Sequence, residues 1–116
     1  MKVFINDKQA LLSTEAISQT ESRLAAAFSK FGFRLSRIEV TVRDVNGPRG
    51  GVDKECQIVA KINRMGEVVA AVKDESLAKS IRQAIARVER GVARKIQKQS
   101  AIEGDRRSDF GFAFYN

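Results

Sequence analysis

Residues 67–99, EVVAAVKDESLAKSIRQAIARVERGVARKIQKQ, change from the repeat of a β-strand to the repeat of an α-helix. Residues 67–73 follow a turn at residues 64–66 and are rich in valine, which predicts a strand. The apolar face of that strand consists of Val68, Ala70 and Val72. Asp74 can cap a helix that runs to about Gln99. The segment therefore predicts a strand followed directly by a long helix.

The predicted last helix has one apolar face and one basic face. At steps of about 100° per residue, its apolar residues fall within a sector of about 120°. They are Leu77, Ile81, Ala84, Ile85, Val88, Val92 and Ile96. The opposite sector carries Lys79, Arg82, Arg87, Arg90, Arg94 and Lys98. Seven Lys or Arg and a single acid, Glu89, lie between residues 79 and 98, so this segment supplies +6 of the chain's net charge of +7.

A helix face with charges of almost one sign favours a binding surface. Solubilising faces normally mix the two signs, although a solvated face is the simpler alternative. At 1.5 Å per residue the basic row is roughly 29 Å long, and its charges repel one another. Strong packing beneath the helix or a polyanion above it must offset that repulsion. Because Arg and Lys form charge-assisted hydrogen bonds with phosphate, we expect a polyanion to bind here. Gly91, at the edge of the apolar sector, is expected to allow a close approach of helix and sheet.

The rest of the chain predicts a second helix and three further strands. The helix should begin at Ser13 or Thr14 and end near Gly32. The strands are expected at residues 3–5, 38–42 and 56–62. A loop at residues 44–51 holds the only proline and three of the eight glycines. The resulting order, β-α-β-β-β-α, predicts an α+β fold in which both helices cover one face of a four-stranded sheet, as in double-stranded-RNA-binding domains.

Helical periodicity stops after residue 99, which divides the chain into a domain at 1–99 and a C-terminal tail at 100–116. The tail ends in four of the eight aromatic residues: Phe110, Phe112, Phe114 and Tyr115. If this segment is extended, its three Phe side chains share one face and could add to a sheet edge of a partner or of a second copy. Packing on its own sheet, or disorder, is the alternative. A docking role for these aromatics is therefore one hypothesis.

The composition indicates a single cytoplasmic domain. The chain has 116 residues, 43% of them hydrophobic and 30% charged, which is ordinary for a folded soluble protein. A net charge of +7 on so short a chain indicates a polyanionic partner. Nucleic acid is the first candidate and an anionic membrane the second. No apolar run approaches the roughly 20 residues of a membrane span, and the first residues become polar too early for a signal peptide. We therefore expect no membrane partner.

The residue types argue against an enzyme. The chain has no His, which excludes Ser–His and Cys–His mechanisms and the common zinc sites. The only cysteine, Cys56, alternates with apolar neighbours and is expected in the core. A carboxylate-only metal nuclease that uses Asp44 and Asp53 stays formally possible, but no defined spacing pairs these residues. We expect no catalytic residue, metal, cofactor or small-molecule substrate.

The element order and two motifs resemble the ribosome hibernation promoting factor and ribosome-associated inhibitor family in its short form. In that family the last helix begins with an acidic pair and later reads aliphatic-Glu-Arg-x-aliphatic-x-basic. The residues that match are Asp74, Glu75, Val88, Glu89, Arg90, Val92 and Arg94. The loop at residues 44–54 also resembles the hairpin loop of one branch of the family. The resemblance spans about residues 1–99.

The resemblance implies a non-catalytic factor that binds the small ribosomal subunit in the channel of messenger and transfer RNA, so that translation stops and idle ribosomes are preserved. It implies that the basic residues of the last helix contact ribosomal RNA phosphates. Further contacts are expected from Arg23 on the first helix, which matches a basic family position. The rim of the loop is expected to add Arg43, Arg49 and Lys54. Ala26 and Ser29 replace lysines that are common in the family, so the first helix carries less charge here.

Two other functions stay open from the residues alone. One is a free double-stranded RNA-binding module, since such modules share the α-β-β-β-α order. The other is a protein-interaction module that uses the aromatic tail and whose charge only keeps it soluble. A membrane-surface role is weaker, because the apolar side of the basic helix is needed for the core.

Overall fold

The computed structural model describes residues 1–45 and 52–115, with side chains for residues 1–45 and 52–99. It contains four strands and two α-helices in the predicted order β-α-β-β-β-α. The strands are β1 (Lys2–Asn6), β2 (Leu35–Asp44), β3 (Lys54–Ile62) and β4 (Gly66–Asp74). The helices are α1 (Thr14–Phe28) and α2 (Leu77–Tyr115), and a short 3₁₀ helix (Ser29–Arg34) follows α1.

The sheet has the strand order β1-β2-β3-β4. The first strand runs parallel to the second, and the remaining pairs are antiparallel, so β2, β3 and β4 form an antiparallel meander. On one face of the sheet the side chains are buried beneath the two helices. On the other, which we call the open face, side chains such as Phe4, Gln57, Lys61 and Val69 are exposed. The predicted α+β fold is confirmed.

The core lies between the helices and the covered face of the sheet. Leu24 and Phe28 of α1 are fully buried. Six of the seven apolar residues expected on α2 are buried, and Leu77 is partly buried. The strands contribute Ile38, Val40, Val42, Cys56, Ile58, Ala60, Ile62 and Val72. The alternation in the strands and the helical repeat therefore point to the same interface, as the sequence predicts.

A serine immediately before the first residue of each helix caps it. The Ser13 hydroxyl accepts a hydrogen bond from the Ala16 amide at 3.0 Å, which confirms one of the two expected caps. At α2 the Ser76 hydroxyl accepts from the Lys79 amide at 3.3 Å, so the prediction that Asp74 caps this helix is wrong. The reason is that β4 includes Asp74, so the chain needs two more residues before it can enter the first turn.

Asp74 instead braces the connection between β4 and α2. Its carboxylate accepts hydrogen bonds from the Ser76 amide and from the Gln83 side chain, both at 3.0 Å. These bonds, with that of the Ser76 amide the stronger influence, hold the pKa of Asp74 below its usual value. Because the pKa is depressed, this contribution to stability is present near neutral pH and is lost as the pH falls through the folded-state pKa.

The first helix ends earlier than predicted. It stops at Phe28, and the 3₁₀ helix carries the chain to Arg34. Gly32, the predicted end, adopts a left-handed backbone with a φ of 57°. This conformation suits glycine and turns the chain into β2, so Gly32 redirects the chain four residues after the α-helix has ended.

The last helix is longer than predicted. It continues past Gln99 to Tyr115, and nothing from residue 100 to 115 terminates it, since this stretch has two glycines and no proline. Among the described side chains, the last member of the buried row is Ile96. An extended segment at Phe110, Phe112 and Phe114 is therefore wrong, because alternate residues do not share a face of a helical backbone. The side chains of these residues and of Tyr115 lie outside the described part, and the boundary between residues 1–99 and 100–116 stays a prediction.

Gly91 permits the close approach of α2 to the sheet. A Cβ atom added at Gly91 would lie 2.6 Å from Cγ1 of Val68 on β4, closer than real Cβ contacts. The predicted role of this glycine is confirmed. The contact also explains why the helix tolerates a residue that costs about 1 kcal/mol relative to alanine in a helix interior.

We expect Gly91→Ala to lower the free energy of unfolding by about 1 kcal/mol, because overpacking against Val68 outweighs the gain in helix propensity. In a Val68→Ala background the same substitution should stabilise the protein by up to about 1 kcal/mol, since the obstructing methyl is gone. Urea denaturation of the four proteins of this cycle measures both effects. Equal effects in the two backgrounds would show that the Val68 contact does not set the helix–sheet distance.

Cys56 lies in the core, as the sequence predicts. It is fully buried on β3, and burial, with a smaller contribution from the Glu55 carboxylate, raises the pKa of its thiol to about 12. The folded state therefore holds the thiol proton more tightly than the unfolded state does. This contribution to stability is complete below the unfolded thiol pKa of about 8.5 and is lost as the pH rises towards the folded value.

We expect Cys56 to react with an aromatic disulfide reagent at pH 8 on the order of 10³-fold more slowly in the native protein than in guanidinium chloride. A Cys56→Ala, Ser22→Cys variant is the control, because residue 22 is exposed on α1 and its thiol should react at the unfolded rate. Absorbance of the released thiolate measures both rates. Equally fast labelling of native Cys56 would contradict the buried, protonated thiol.

Candidate nucleic-acid interface

The cations predicted on the last helix form one exposed surface of α2. We call this surface the basic face. It consists of Lys79, Arg82, Arg87, Arg90, Arg94 and Lys98. Within the described part of the chain, none of the six forms a salt bridge with a carboxylate. Their charges are therefore available to a partner.

Packing beneath the helix holds the basic face in place. Val88 and Val92, on the turns that carry Arg87, Arg90 and Arg94, are fully buried against the sheet. Burial of one aliphatic side chain is worth about 1.5–3 kcal/mol, whereas a like-charged pair one turn apart costs about 0.2–0.5 kcal/mol. The core therefore outweighs the repulsion within the basic face.

The one acid on this stretch of α2 is neutralised by another element. The Glu89 carboxylate forms a salt bridge with Lys30 of the 3₁₀ helix at 3.2 Å, and both side chains are solvent-accessible. Sequence analysis missed Lys30, because a pair separated by 59 residues leaves no local pattern. The pair leaves the basic face without a free negative charge.

Lys95 lies outside the basic face. Its ammonium group donates hydrogen bonds to the Met65 carbonyl at 2.7 Å and to the Glu67 carbonyl at 3.4 Å. This cation therefore ties α2 to the turn between β3 and β4. Of the seven cations between residues 79 and 98, six are free for a partner and one is structural.

Arg23 of α1 lies beside the basic face, and its predicted contact with RNA stays a prediction. Arg23 and Arg82 both line a groove of about 240 Å³ between the two helices, in which Leu77 and Ile81 supply apolar surface. Arg23 is exposed, and no described carboxylate pairs with it. The fold thus brings together cations that are far apart in the chain.

The cations predicted at the loop are arranged differently. Lys54 donates to Asp44 at 2.9 Å and to Asp53 at 3.2 Å, and these bonds, that to Asp44 first, raise the pKa of its ammonium group. The Arg43 guanidinium pairs with Glu55 in the same way. The antiparallel register of β2 and β3 places each of these cations opposite an acid, which the linear sequence does not reveal. Lys54 is therefore not a free cation, and the predicted contact residue Arg49 lies outside the described residues.

Asp44 and Asp53, the residues considered for a carboxylate metal site, both bind Lys54. Within residues 1–45 and 52–99, no group of three or more potential ligands could hold a metal ion. Among the described residues, no helix combines the length and apolar character that a membrane crossing requires.

Several solved structures share this fold, including proteins from Coxiella burnetii and Thermus thermophilus. A ribosomal subunit interface protein from Coxiella burnetii superposes with a TM-score of 0.68 at 14% sequence identity, covering 81% of this chain and 96% of that one. The N-terminal domain of Protein Y from Thermus thermophilus gives a TM-score of 0.60 at 18% identity, covering 80% and 93%. No family model and no curated protein matches the sequence. At these identities the likeness establishes the arrangement of two helices on a four-stranded mixed sheet.

We expect Glu89→Gln to tighten binding to heparin, a polyanion without bases, by about two- to fivefold, because the substitution removes the acid and frees Lys30. Lys30→Gln should weaken binding by a similar factor, since it leaves Glu89 unpaired beside the basic face. The salt concentration at elution from a heparin column measures both shifts.

Glu67→Gln is the matched control, because it makes the same charge change on the exposed side of β4. Its elution should move much less than that of Glu89→Gln. An equal shift for the two variants would mean that net charge, and not the basic face, decides the affinity.

Proposed function

We propose that this chain is a non-catalytic, cytoplasmic factor that binds the ribosome through ribosomal RNA of the small subunit. In this proposal it occupies the messenger and transfer RNA sites and keeps idle ribosomes inactive or preserved. The observation that carries the proposal is the basic face, where six exposed cations lie over roughly 29 Å of helix and the one acid between residues 79 and 98 is neutralised by Lys30.

The geometry of the basic face suits an RNA backbone. Arg87, Arg90 and Arg94 follow one another at about 4.5 and 6 Å along the helix axis, so neighbouring guanidinium groups can bind successive phosphates. Arg23 widens the surface across the groove to α1. The contacts are to phosphate and carry no base information, so recognition would depend on the shape of a folded RNA.

The comparisons support the choice of a ribosomal partner. One similar structure is a ribosomal subunit interface protein, and it shares the fold over most of its length. The resemblance of Val88, Glu89, Arg90, Val92 and Arg94 to the pattern of ribosome hibernation factors supports the same partner. In this chain that pattern places Arg90 and Arg94 on the basic face and Val88 and Val92 in the core.

The chemistry of the surface fits binding without catalysis. The chain has no His, and its one thiol is fully buried in the core. The carboxylates considered for a metal site are bound to Lys54. We therefore assign the chain no reaction.

We expect the wild-type protein to co-sediment with the small ribosomal subunit through sucrose at about 50 mM salt. Six phosphate contacts predict an affinity loss on the order of 10³ between about 50 and 200 mM salt. Charge reversal at three central positions, Arg87→Glu, Arg90→Glu and Arg94→Glu, should abolish the binding. The fold should persist, because all three side chains are exposed.

The matched control reverses three lysines on the open face: Lys2→Glu, Lys61→Glu and Lys73→Glu. This variant has the same net charge as the first and should still bind. Free RNA duplexes serve as competitors. If free duplexes compete as strongly as whole subunits do, the chain is better described as a free duplex-binding module. If the variant with Glu at positions 87, 90 and 94 still co-sediments with the subunit, the proposed mechanism is wrong.

A further inference from the structure

Phe33 is the most exposed large apolar side chain of the described residues. It is 87% exposed, although burial of a phenylalanine normally stabilises a fold. It lies at the end of the 3₁₀ helix, next to the start of β2. An aromatic ring held in solvent offers a face on which another flat π system can stack.

The backbone around Phe33 is held in place. The Asn63 side chain donates a hydrogen bond to the Phe33 carbonyl, and the Asn63 amide donates to the Arg34 carbonyl at 2.8 Å. Gly32, immediately before Phe33, has the left-handed φ of 57°. These constraints join the entry to β2 with the turn between β3 and β4. The outward position of the ring therefore follows from a fixed backbone.

The ring forms one wall of an open cleft of about 720 Å³. The other walls come from Arg34, Asn63, Arg64, Met65 and Ile96, and from Gln99. Two of these side chains are cationic and none is acidic. In the described part of the chain, neither Arg34 nor Arg64 forms a salt bridge. The cleft thus combines an exposed aromatic ring with two uncompensated positive charges.

We propose that this cleft binds an unpaired nucleotide of single-stranded RNA, with its base stacked on Phe33 and its phosphates bound by Arg34 and Arg64. Exposed aromatic rings stack on splayed bases, and adjacent cations hold the backbone of the strand. The amide of Asn63 and the thioether of Met65 complete a wall with polar and apolar parts, as a nucleobase requires. The inference rests on the proposed function only in taking RNA as the partner.

Charge decides between a nucleotide and an apolar peptide. A hydrophobic segment over Phe33 would cover two guanidinium groups without offering them a partner, which carries a large desolvation cost. A nucleotide supplies a π face to the ring and an anion to the arginines at the same time. The cleft differs from the basic face in this respect, because the basic face offers cations and no exposed aromatic ring.

The chain has no tryptophan, so Phe33→Trp places a single fluorescent reporter in the cleft. We expect a single-stranded oligouridylate of about ten nucleotides to quench its emission through stacking. Inorganic polyphosphate of equal charge can bind the same cations but has no base to stack on residue 33, so it should leave the emission unchanged. Equal quenching by the two probes would overturn the proposal.

Binding of the same oligonucleotide to single variants tests the contribution of the ring. Phe33→Ala should weaken it by about 5- to 100-fold, Phe33→Leu by nearly as much, and Phe33→Tyr by little. Arg64→Gly should also weaken it while keeping the fold, because Arg64 has a left-handed φ of 66° that suits glycine better. Phe4→Ala, which truncates a Phe on the open face, is the control and should bind as the wild type does.

Unchanged oligonucleotide affinity in Phe33→Ala would overturn the inference, as would an equal loss of affinity in Phe4→Ala. The experiments distinguish failure of the proposed ribosome binding from failure of the proposed nucleotide cleft. If ribosomes do not bind but the oligonucleotide still quenches the emission of the Phe33→Trp protein, the proposed function is wrong and the cleft stands. If ribosomes bind equally well to wild type and Phe33→Ala and the oligonucleotide does not quench the emission of the Phe33→Trp protein, the proposed function stands and the cleft is wrong.

Discussion

The structure depends on the close packing of α2 against the sheet, which Gly91 allows by leaving room for Val68. This contact sets the helix–sheet distance and lets the buried row from Ile81 to Ile96 reach the strands. The same packing makes the basic face possible. A helix with six cations on one side repels itself, and only the apolar contacts on its other side keep it formed near neutral pH. One side of α2 therefore stabilises the fold, and the opposite side carries the candidate binding surface.

Long-range pairs decide which charges reach solvent. Lys30 neutralises Glu89, and Lys54 lies between two carboxylates. Lys95 donates its hydrogen bonds to carbonyl groups at the β3–β4 turn. These pairs are individually weak, since exposed ion pairs contribute about 0–1 kcal/mol. Their effect lies in sorting the cations. They leave a continuous positive surface on the helical layer and a largely compensated one around the strands β2 and β3.

The two candidate RNA-binding surfaces differ in what they can recognise. In the proposed function, the basic face binds phosphates and responds to the shape of a folded RNA. The cleft at Phe33 offers a ring, which only an unpaired base can use. Ile96 and Gln99 line the cleft on the turns of α2 that also carry Arg94 and Lys98. In the two proposals, paired and unpaired parts of one RNA therefore meet the same turns of α2.

The sequence by itself determined the fold class, the element order and the two faces of α2, because these follow from periodicities within one segment. It also identified Gly91 and Cys56 correctly, since each stands within an apolar repeat. It misplaced the cap of α2 and the end of that helix, where neighbouring residues allow several local solutions and propensity differences are small. Only the tertiary structure decided that Lys30 pairs with Glu89, that Lys54 pairs with two carboxylates and that Phe33 is exposed. These depend on segments up to 59 residues apart meeting at a strand register or a helix crossing, and no local pattern encodes such meetings.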